Sequence, residues 1–215
     1  SPKILEIGID TGQTTLPLIH NMCINLNKFE FTGIDVKINE IMFEQLSQFE
    51  DVTMANIKDI KGNKHVEFYQ TNSLDWLYHN KNKNKKYDLI LLDGDHNYYT
   101  VFNELRLLEN YCNNHTIIVC DDFNGRYSKK DLFYKERETH KENKLLHDPV
   151  KLERQGVGNA IKDYLSQNNY LGAYSFDSLD PCIVYQKKYL KISFSADSNA
   201  TNLRDMVFDF SLLSG

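Results

Sequence analysis

The sequence predicts a single α/β domain with a Rossmann-like, doubly wound and mainly parallel sheet, and three observations support this prediction. Apolar runs of strand length alternate with helix-like segments along most of the 215 residues. The runs are apolar on both faces, which is typical of strands that helices cover on either side. A chain of this length fills one α/β domain and leaves little for a second.

The elements follow this alternating pattern in chain order. Five strands are predicted first, and helices with a single apolar stripe separate them. Two more strands follow, joined by the turn DSLDP, and so short a turn makes them an antiparallel hairpin. The strands are expected at 3–9, 29–36, 65–70, 87–93, 115–121, 171–176 and 182–188, and the helices at 14–27, 38–49, 73–80, 98–112 and 156–169.

Two regions depart from the pattern. The charged stretch 123–155 is long for a connection within a compact domain, and such loops are usually functional lids or disordered. We interpret it as a substrate-side lid, with disorder as the alternative. Residues 190–215 suit either a further strand and short helix or an arm for assembly, so the domain is expected to span 1–189.

Bulk composition argues against several classes of protein. The formal net charge is −5, which disfavours a general affinity for nucleic acids. No apolar stretch approaches the roughly 20 residues that cross a bilayer, and there is no signal peptide. Four cysteines without paired spacing favour reduced thiols in a cytoplasmic protein. The chain begins almost directly with a strand, so we expect a natural N-terminal segment to be missing.

A glycine-containing turn follows the first strand, in the stretch EIGIDTGQTT. It places Glu6, Gly8 and Gly12 between that strand and the next helix. Gly8 permits a tight turn, and Gly12 lets a ligand approach the helix N-terminus, where free N–H groups point outward. The spacing is GxxxG, which differs from the GxGxxG of most NAD-binding proteins. Since such turns also occur for packing alone, the turn by itself leaves ligand binding open.

Polar residues also follow the second and third strands. Asp35 closes the second strand, where a carboxylate can accept both hydroxyls of a ribose; a solvated strand-end aspartate is the alternative. Asn72 and Ser73 follow the third strand and offer a side-chain amide and a helix-start N–H, which suit an adenine edge. Trp76 or Leu74 is placed to cover the ring face, although Trp76 suits the core equally well.

Five carboxylate or imidazole side chains follow the fourth and fifth strands, in the stretches LLDGDHNY and IIVCDDF. Burying such charges without partners costs roughly several kcal/mol each. They therefore either reach solvent at the strand ends or surround a cation, and capping of the following helices is a third use. These residues are Asp93, Asp95, His96, Asp121 and Asp122.

In this order and spacing, the glycine turn and the three polar strand ends that follow it resemble the class I S-adenosylmethionine-dependent methyltransferases. The resemblance covers about residues 3–186. It implies a seven-stranded sheet of order 3-2-1-4-5-7-6 with strand seven antiparallel. It also implies cofactor contacts from Glu6, Gly8 and Gly12 around the methionine part, Asp35 on the ribose, Asn72 and Ser73 at the adenine, and Asp93.

Within that family, the pair LLDGDHNYY and IIVCDDF resembles the metal-dependent small-molecule O-methyltransferases, notably the macrolide and aminocoumarin sugar enzymes. This resemblance implies Mg²⁺ held by Asp93, Asp121 and Asp122, and a general base at Asp95. His96 is the alternative base, because histidine as a residue type titrates near neutral pH. The implied reaction transfers a methyl group to a hydroxyl of a sugar or other small molecule, and a bound cation would favour the alkoxide.

Three rival functions are weighed against this one. An NAD(P)-dependent Rossmann oxidoreductase is disfavoured because carboxylates would lie next to the nicotinamide. A non-catalytic methyltransferase-like module would bind the cofactor product or a partner chain. Methylation of nucleic acid is disfavoured by the acidic balance. The expected partner is therefore a small-molecule acceptor, with no nucleic acid and no membrane, and homo-oligomer formation is left open.

Two further groups of side chains are assigned only general roles. Aromatic residues in and near 123–155 either stack on an acceptor or pack that segment onto the domain. They are Tyr98, Tyr99, Phe123, Tyr127 and Tyr134. The remaining histidines lack ligand spacing and are expected at the surface. They are His20, His65, His79, His115, His140 and His147.

Overall fold

The computed structural model describes residues 1–39, 42, 44, 53–55, 64–175 and 180–187. They form one eight-stranded sheet of order β3-β4-β2-β1-β5-β6-β8-β7. The strands are β1 Lys3–Ile7, β2 Phe29–Asp35, β3 Thr53–Ala55, β4 Lys64–Gln70, β5 Tyr87–Leu92, β6 Cys112–Cys120, β7 Leu171–Ser175 and β8 Cys182–Gln186. The α-helices are α1 Thr15–Asn25, α2 Ser73–Asn80, α3 Tyr98–Leu108 and α4 Val157–Gln167, and single 3₁₀ turns span Lys81–Lys83, Glu109–Tyr111 and Tyr134–Glu136.

The predicted strand order 3-2-1-4-5-7-6 is confirmed, and one strand must be added to it. Strands β4, β2, β1, β5 and β6 are parallel, whereas β8 runs antiparallel to both β6 and β7. All seven predicted strands are present, and the added three-residue strand β3 pairs in parallel with β4 at the edge of the sheet. So short an edge strand has no hydrophobic period of its own that a sequence reading could detect.

Helices cover both faces of the sheet, as the strands that are apolar on both sides predict. On one face, residues of α2, α3 and α4 such as Leu77, Leu105 and Ile161 pack on the strands. On the other face, Ile19 and Met22 of α1 form a second core with β1, β2 and β4. This arrangement brings the carboxyl ends of β1, β2, β4, β5 and β6 to one edge of the sheet.

Some expectations fall outside the described residues. Most of the predicted helix 38–49 does, although Met42 is helical and buried. The tail 190–215 lies entirely outside them, as does much of the DSLDP turn. All four cysteines are free thiols. In the part of the chain that is described, no helix combines the length and apolar character needed to span a membrane.

Candidate active site

A cavity of about 500 Å³ opens at the carboxyl ends of the parallel strands. It runs from the glycine turn after β1 to the carboxylates after β5. Seven of the predicted site residues line it: Gly8, Asp35, Asn72, Ser73, Asp93, Asp95 and His96. The other four, Glu6, Gly12, Asp121 and Asp122, are not among its lining residues.

The glycine turn is built around a close approach of two strand ends. Gly8 has a φ of +89°, and its N–H donates to the Ile34 carbonyl at 2.9 Å. A Cβ atom at this position would collide with the backbone carbonyl of Asp93. Only glycine satisfies both demands, so Gly8 brings the end of β1 against the end of β5.

Asp35 holds this turn in place from the end of β2. Its Oδ2 accepts hydrogen bonds from the N–H groups of Ile9 at 2.7 Å and Asp10 at 2.9 Å. Its Oδ1 accepts from the Lys37 N–H at 2.9 Å. A carboxylate oxygen has two lone pairs, so the aspartate keeps acceptor capacity on the cavity side while it orders the loop.

Asn72 and Ser73 start helix α2, and the Asn72 amide also makes hydrogen bonds within the protein. Its Oδ1 caps the helix by accepting from the Leu74 N–H at 2.9 Å. Its Nδ2 donates to the Leu145 carbonyl at 3.1 Å. Both ends of the amide are thus engaged by the protein. Leu74 lines a separate surface depression, and Trp76 is buried and stacked on Tyr111, so neither covers this cavity.

Glu6 lies beneath the turn instead of in the cavity. Its side chain is 2% exposed, and its Oε2 accepts from the Thr15 hydroxyl at 2.7 Å. Burial raises the pKa of Glu6 to about 8, although the Thr15 hydrogen bond opposes this rise. The residue therefore ties β1 to the first turn of α1. Gly12, with a φ of +81°, packs under the same turn against Met42 and Leu16.

Asp93 and Asp121 meet side by side because their strands are in register. Leu92 lies opposite Cys120, and the Asp121 N–H donates to the Leu92 carbonyl at 3.0 Å. The two carboxyl groups share a hydrogen bond. Burial, and then the neighbouring acids, raise the pKa of both side chains above the ordinary value. Such a pair either retains a proton or attracts a cation.

Asp122, which follows this pair, contacts His96. Its backbone is left-handed, with a φ of +54°, and its Oδ2 lies 3.0 Å from Nδ1 of His96. The imidazole ring stacks on Tyr127 at 5.1 Å and lies 5.9 Å from the Tyr134 ring. His96 is consequently held by a carboxylate at one nitrogen and by two aromatic rings of the 123–155 segment.

Asp95 is held by hydrogen bonds from Thr100, Asn97 and the backbone of His96. Its Oδ2 accepts from the Thr100 hydroxyl at 2.8 Å and from the Asn97 amide at 2.5 Å. Asn97 in turn caps α3 through the Thr100 N–H. Burial raises the pKa of Asp95, and these two hydrogen bonds offset part of the rise.

The segment 123–155 forms a wall of the cavity, which the sequence did not reveal residue by residue. Tyr134, His140 and Leu146 line it. Asn143 donates to the Val36 carbonyl at 3.2 Å, across 107 residues of chain. The prediction that His140 is a surface residue is wrong, since its ring is half-buried and packs on Tyr134 at 5.5 Å. The other histidines called surface residues include four exposed ones, His20, His79, His115 and His147.

The fit of these residues to a divalent cation is partial. Among the described residues, no three carboxylate, imidazole or thiol groups are grouped as they would be around an ion. The physical reason is that Asp122 is engaged with His96. Asp93 and Asp121 nevertheless suit a hard cation, because both supply oxygen and they lie side by side. Two of the three predicted ligands therefore converge, and the third would have to turn.

Comparison with known proteins assigns the family. Residues 5–123 match the family model described as a methyltransferase domain. This match covers more than half of the chain, so the chain belongs to the methyltransferase-domain family. The predicted methyltransferase is thereby confirmed, and the oxidoreductase alternative is not supported. No functionally curated protein matches the sequence.

Solved methyltransferases share the fold at low sequence identity. An S-adenosylhomocysteine-bound methyltransferase of Podospora anserina has a TM-score of 0.53 and 17% identity, over 86% of this chain and 71% of that one. The TDP-rhamnose 3'-O-methyltransferase CalS11 of calicheamicin biosynthesis has a TM-score of 0.56 and 12% identity, over 86% and 72%. The mycinamycin-pathway enzyme MycE, in complex with Mg, S-adenosylhomocysteine and mycinamycin VI, has a TM-score of 0.51 and 11% identity, over 91% of this chain and 47% of that one.

Proposed function

We propose that this protein is an S-adenosylmethionine-dependent O-methyltransferase that acts on a hydroxyl group of a sugar or other small molecule. The observation that carries the proposal is the continuity of one cavity. The glycine turn and Asp35 lie at one end of it, and Asp93, Asp95 and His96 lie at the other. Cofactor and acceptor would thus meet without leaving a shared, partly enclosed space.

The cofactor lies along the ends of β1, β2 and β4. Its methionine part rests over the turn at Gly8, with Glu6 and Gly12 supporting that turn from below and Asp93 beside it. A ribose hydroxyl donates to the remaining lone pair of Asp35, on Oδ1. Its adenine lies at the N-terminus of α2, against Ser73, while the Asn72 amide supports the wall from behind.

The acceptor lies beside the strand-end acids. His96 donates from Nδ1 to Asp122, which leaves Nε2 as a proton acceptor in the neutral ring. The acceptor hydroxyl gives its proton to that nitrogen, and the oxygen attacks the methyl carbon of the sulfonium. The carbon–sulfur electron pair returns to sulfur, and S-adenosylhomocysteine is released. The Asp95 carboxylate accepts a hydrogen bond from the acceptor and orients it for in-line attack.

Asp93 and Asp121 are the residues that would hold Mg²⁺; Asp122 would join them only by giving up its contact with His96, so while it orients the base it leaves the ion to the other two. When bound, the cation lowers the pKa of a hydroxyl that it contacts and relieves the repulsion between the two acids. The mycinamycin-pathway relative, which was crystallised with Mg, supports this part of the proposal.

The test begins with calorimetric titration of S-adenosylhomocysteine into the protein, with and without Mg²⁺. We expect binding that Asp35→Ala weakens and Asp122→Ala leaves intact. A methyl-transfer assay on a panel of sugars and polyols follows, after dialysis against chelator and with metals restored. Absence of binding to the intact protein at every Mg²⁺ concentration would contradict the proposal. Full activity in chelator would remove the metal from it.

A further inference from the structure

One buried carboxyl group beneath the cavity takes no part in the chemistry proposed above. Glu104 lies on α3 and its side chain is 0% exposed. Its Oε1 accepts a hydrogen bond of 2.5 Å from the Ser73 hydroxyl. Its Oε2 has no hydrogen-bond partner among the described residues. A buried oxygen without a partner destabilises a fold, and a packed leucine would not. Stability alone therefore does not account for a glutamate at this position.

The contact with Glu104 decides what Ser73 can offer to a ligand. A serine hydroxyl has one proton and two lone pairs. Burial raises the pKa of Glu104 to about 8, so this acid carries a proton at neutral pH. With that proton on Oε2 and the serine proton donated to Oε1, only the lone pairs of Ser73 are left for the cavity, which Ser73 lines. The neighbouring Asn72 has its amide oxygen and nitrogen engaged by Leu74 and Leu145. The Asn72 amide keeps a second N–H and a second lone pair, whereas the Ser73 hydroxyl, once its proton is given to Glu104, can only accept.

We propose that Glu104 is a positioning residue that holds the Ser73 hydroxyl as an acceptor and so selects a purine with a 6-amino group over one with a 6-oxo group. The inference rests on the proposed function, because it places the adenine of the cofactor against Ser73. A 6-amino group donates to the serine lone pair. A 6-oxo group presents a second acceptor to it, which repels and leaves both atoms unpaired.

The test compares two ligands that differ only at this atom: S-adenosylhomocysteine and its deaminated analogue S-inosylhomocysteine. Their dissociation constants are measured by calorimetry on the wild type, Glu104→Leu, Glu104→Gln and Ser73→Ala. Glu109→Leu is the matched control, since Glu109 follows α3 and does not line the cavity. The ratio of the two constants is the readout, because partial unfolding of a variant weakens both ligands equally and leaves the ratio unchanged.

We expect the wild type to prefer the 6-amino ligand on the order of 10- to 100-fold. In Glu104→Leu the freed serine hydroxyl can rotate and donate, so the preference falls to within about threefold, mainly because the 6-oxo ligand binds better. Ser73→Ala loses the preference as well. Glu104→Gln retains it, because the carboxamide oxygen still accepts from Ser73, and Glu109→Leu also retains it.

Three outcomes would overturn the inference. The first is a wild type that does not distinguish the two ligands. The second is an unchanged ratio in Glu104→Leu, which would leave Ser73 acting without Glu104. The third is loss of the ratio in Glu104→Gln, which would show that an acceptor oxygen is not what matters. Failure of S-adenosylhomocysteine itself to bind the wild type would instead refute the proposed function, and this inference with it.

Discussion

The two ends of the cavity hold their acidic groups in opposite ways. At the cofactor end, after β1 and β2, the Asp35 carboxylate accepts from three backbone N–H groups. At the acceptor end, after β5 and β6, Asp93 and Asp121 face each other, and burial raises the pKa of both. The first end is electrostatically satisfied by its own backbone. At the second end the two acids face each other instead of a set of N–H donors.

The difference indicates how the two ends work. An acid paired with fixed N–H groups keeps one geometry, which suits a cofactor of constant shape. Acids held against each other are poised to bind a cation or exchange a proton, which suits a reacting hydroxyl. The segment 123–155 closes both ends, because Asn143 reaches the cofactor end while Tyr127 and Tyr134 hold His96 at the other.

The largest effect is expected on kcat, from a substitution that changes the acceptor end alone. We expect His96→Gln to lower kcat about 10²–10⁴-fold, because the proton of the acceptor hydroxyl loses its base. The affinity for S-adenosylhomocysteine should stay within about twofold. Steady-state kinetics and calorimetry measure the two. His79→Gln, at an exposed position on α2, is the control. Normal kcat in His96→Gln together with a large loss in Asp95→Asn would move the base to Asp95.

A somewhat smaller effect is expected on cofactor affinity, from a substitution at the cofactor end. Asp35→Ala leaves three backbone N–H groups without their acceptor and removes the ribose partner. We expect affinity for S-adenosylhomocysteine to fall about 100-fold, equivalent to about 2.7 kcal/mol. The matched control is Asp88→Ala, since Asp88 also accepts from a distant backbone N–H, that of Lys3, at the opposite edge of the sheet. Equal losses in both variants would mean that general destabilisation explains the effect.

A pH series sharpens the comparison, because the buried acid Glu6 lies beneath the cofactor end. Burial raises the pKa of Glu6 to about 8. The proton bound in the folded state stabilises the protein below the unfolded pKa near 4.5, and this contribution is lost as pH rises through 8. Wild-type stability should therefore fall by about 2–3 kcal/mol between pH 6 and pH 9 from this group. Glu6→Gln should remove most of that fall in urea denaturation.

Glu67 provides the control of opposite sign. Burial by itself would raise its pKa, but hydrogen bonds from Lys85, Tyr69 and Thr32 outweigh burial and lower it. Its stabilisation is present above the unfolded pKa and is lost at acid pH. Glu67→Gln should consequently be less stable than wild type at neutral pH, with a difference that shrinks on acidification. The same pH dependence in both variants would contradict this assignment.

The smallest expected effect tests how much the segment 123–155, which forms a wall of the cavity, contributes to cofactor affinity. Asn143 donates to the Val36 carbonyl and accepts from the Leu145 N–H at 2.9 Å. We expect Asn143→Ala to loosen this wall and weaken S-adenosylhomocysteine about fivefold, equivalent to about 1 kcal/mol. Asn110→Ala, which removes only a contact to the nearby Leu107 carbonyl, should leave affinity unchanged. If Asn143→Ala bound S-adenosylhomocysteine with wild-type affinity, the segment 123–155 would not support the cofactor end.

Much of the fold and about half of the site follow from patterns that lie close together in the chain. The glycine turn and Asp35 were predictable because each follows a strand whose hydrophobic pattern marks its end. The convergence of Asp93 and Asp121 was predictable because neighbouring parallel strands end at one edge. The use of the Asn72 amide was not, since its partner at Leu145 lies 73 residues away. His140 was misjudged for the same reason.

The sequence by itself determined the succession of strands and helices along the chain, the tight turn at Gly8 and the acids at the strand ends, whereas the order of the strands within the sheet was implied by the family resemblance. These features depend on periodicity and on backbone conformation, which a few adjacent residues set. Only the tertiary structure decided that Asp122 pairs with His96, that 123–155 walls the cavity and that Glu104 binds Ser73. Such contacts depend on distances between atoms that folding brings together, and on the burial that then shifts their charges, and no local pattern in the chain encodes either.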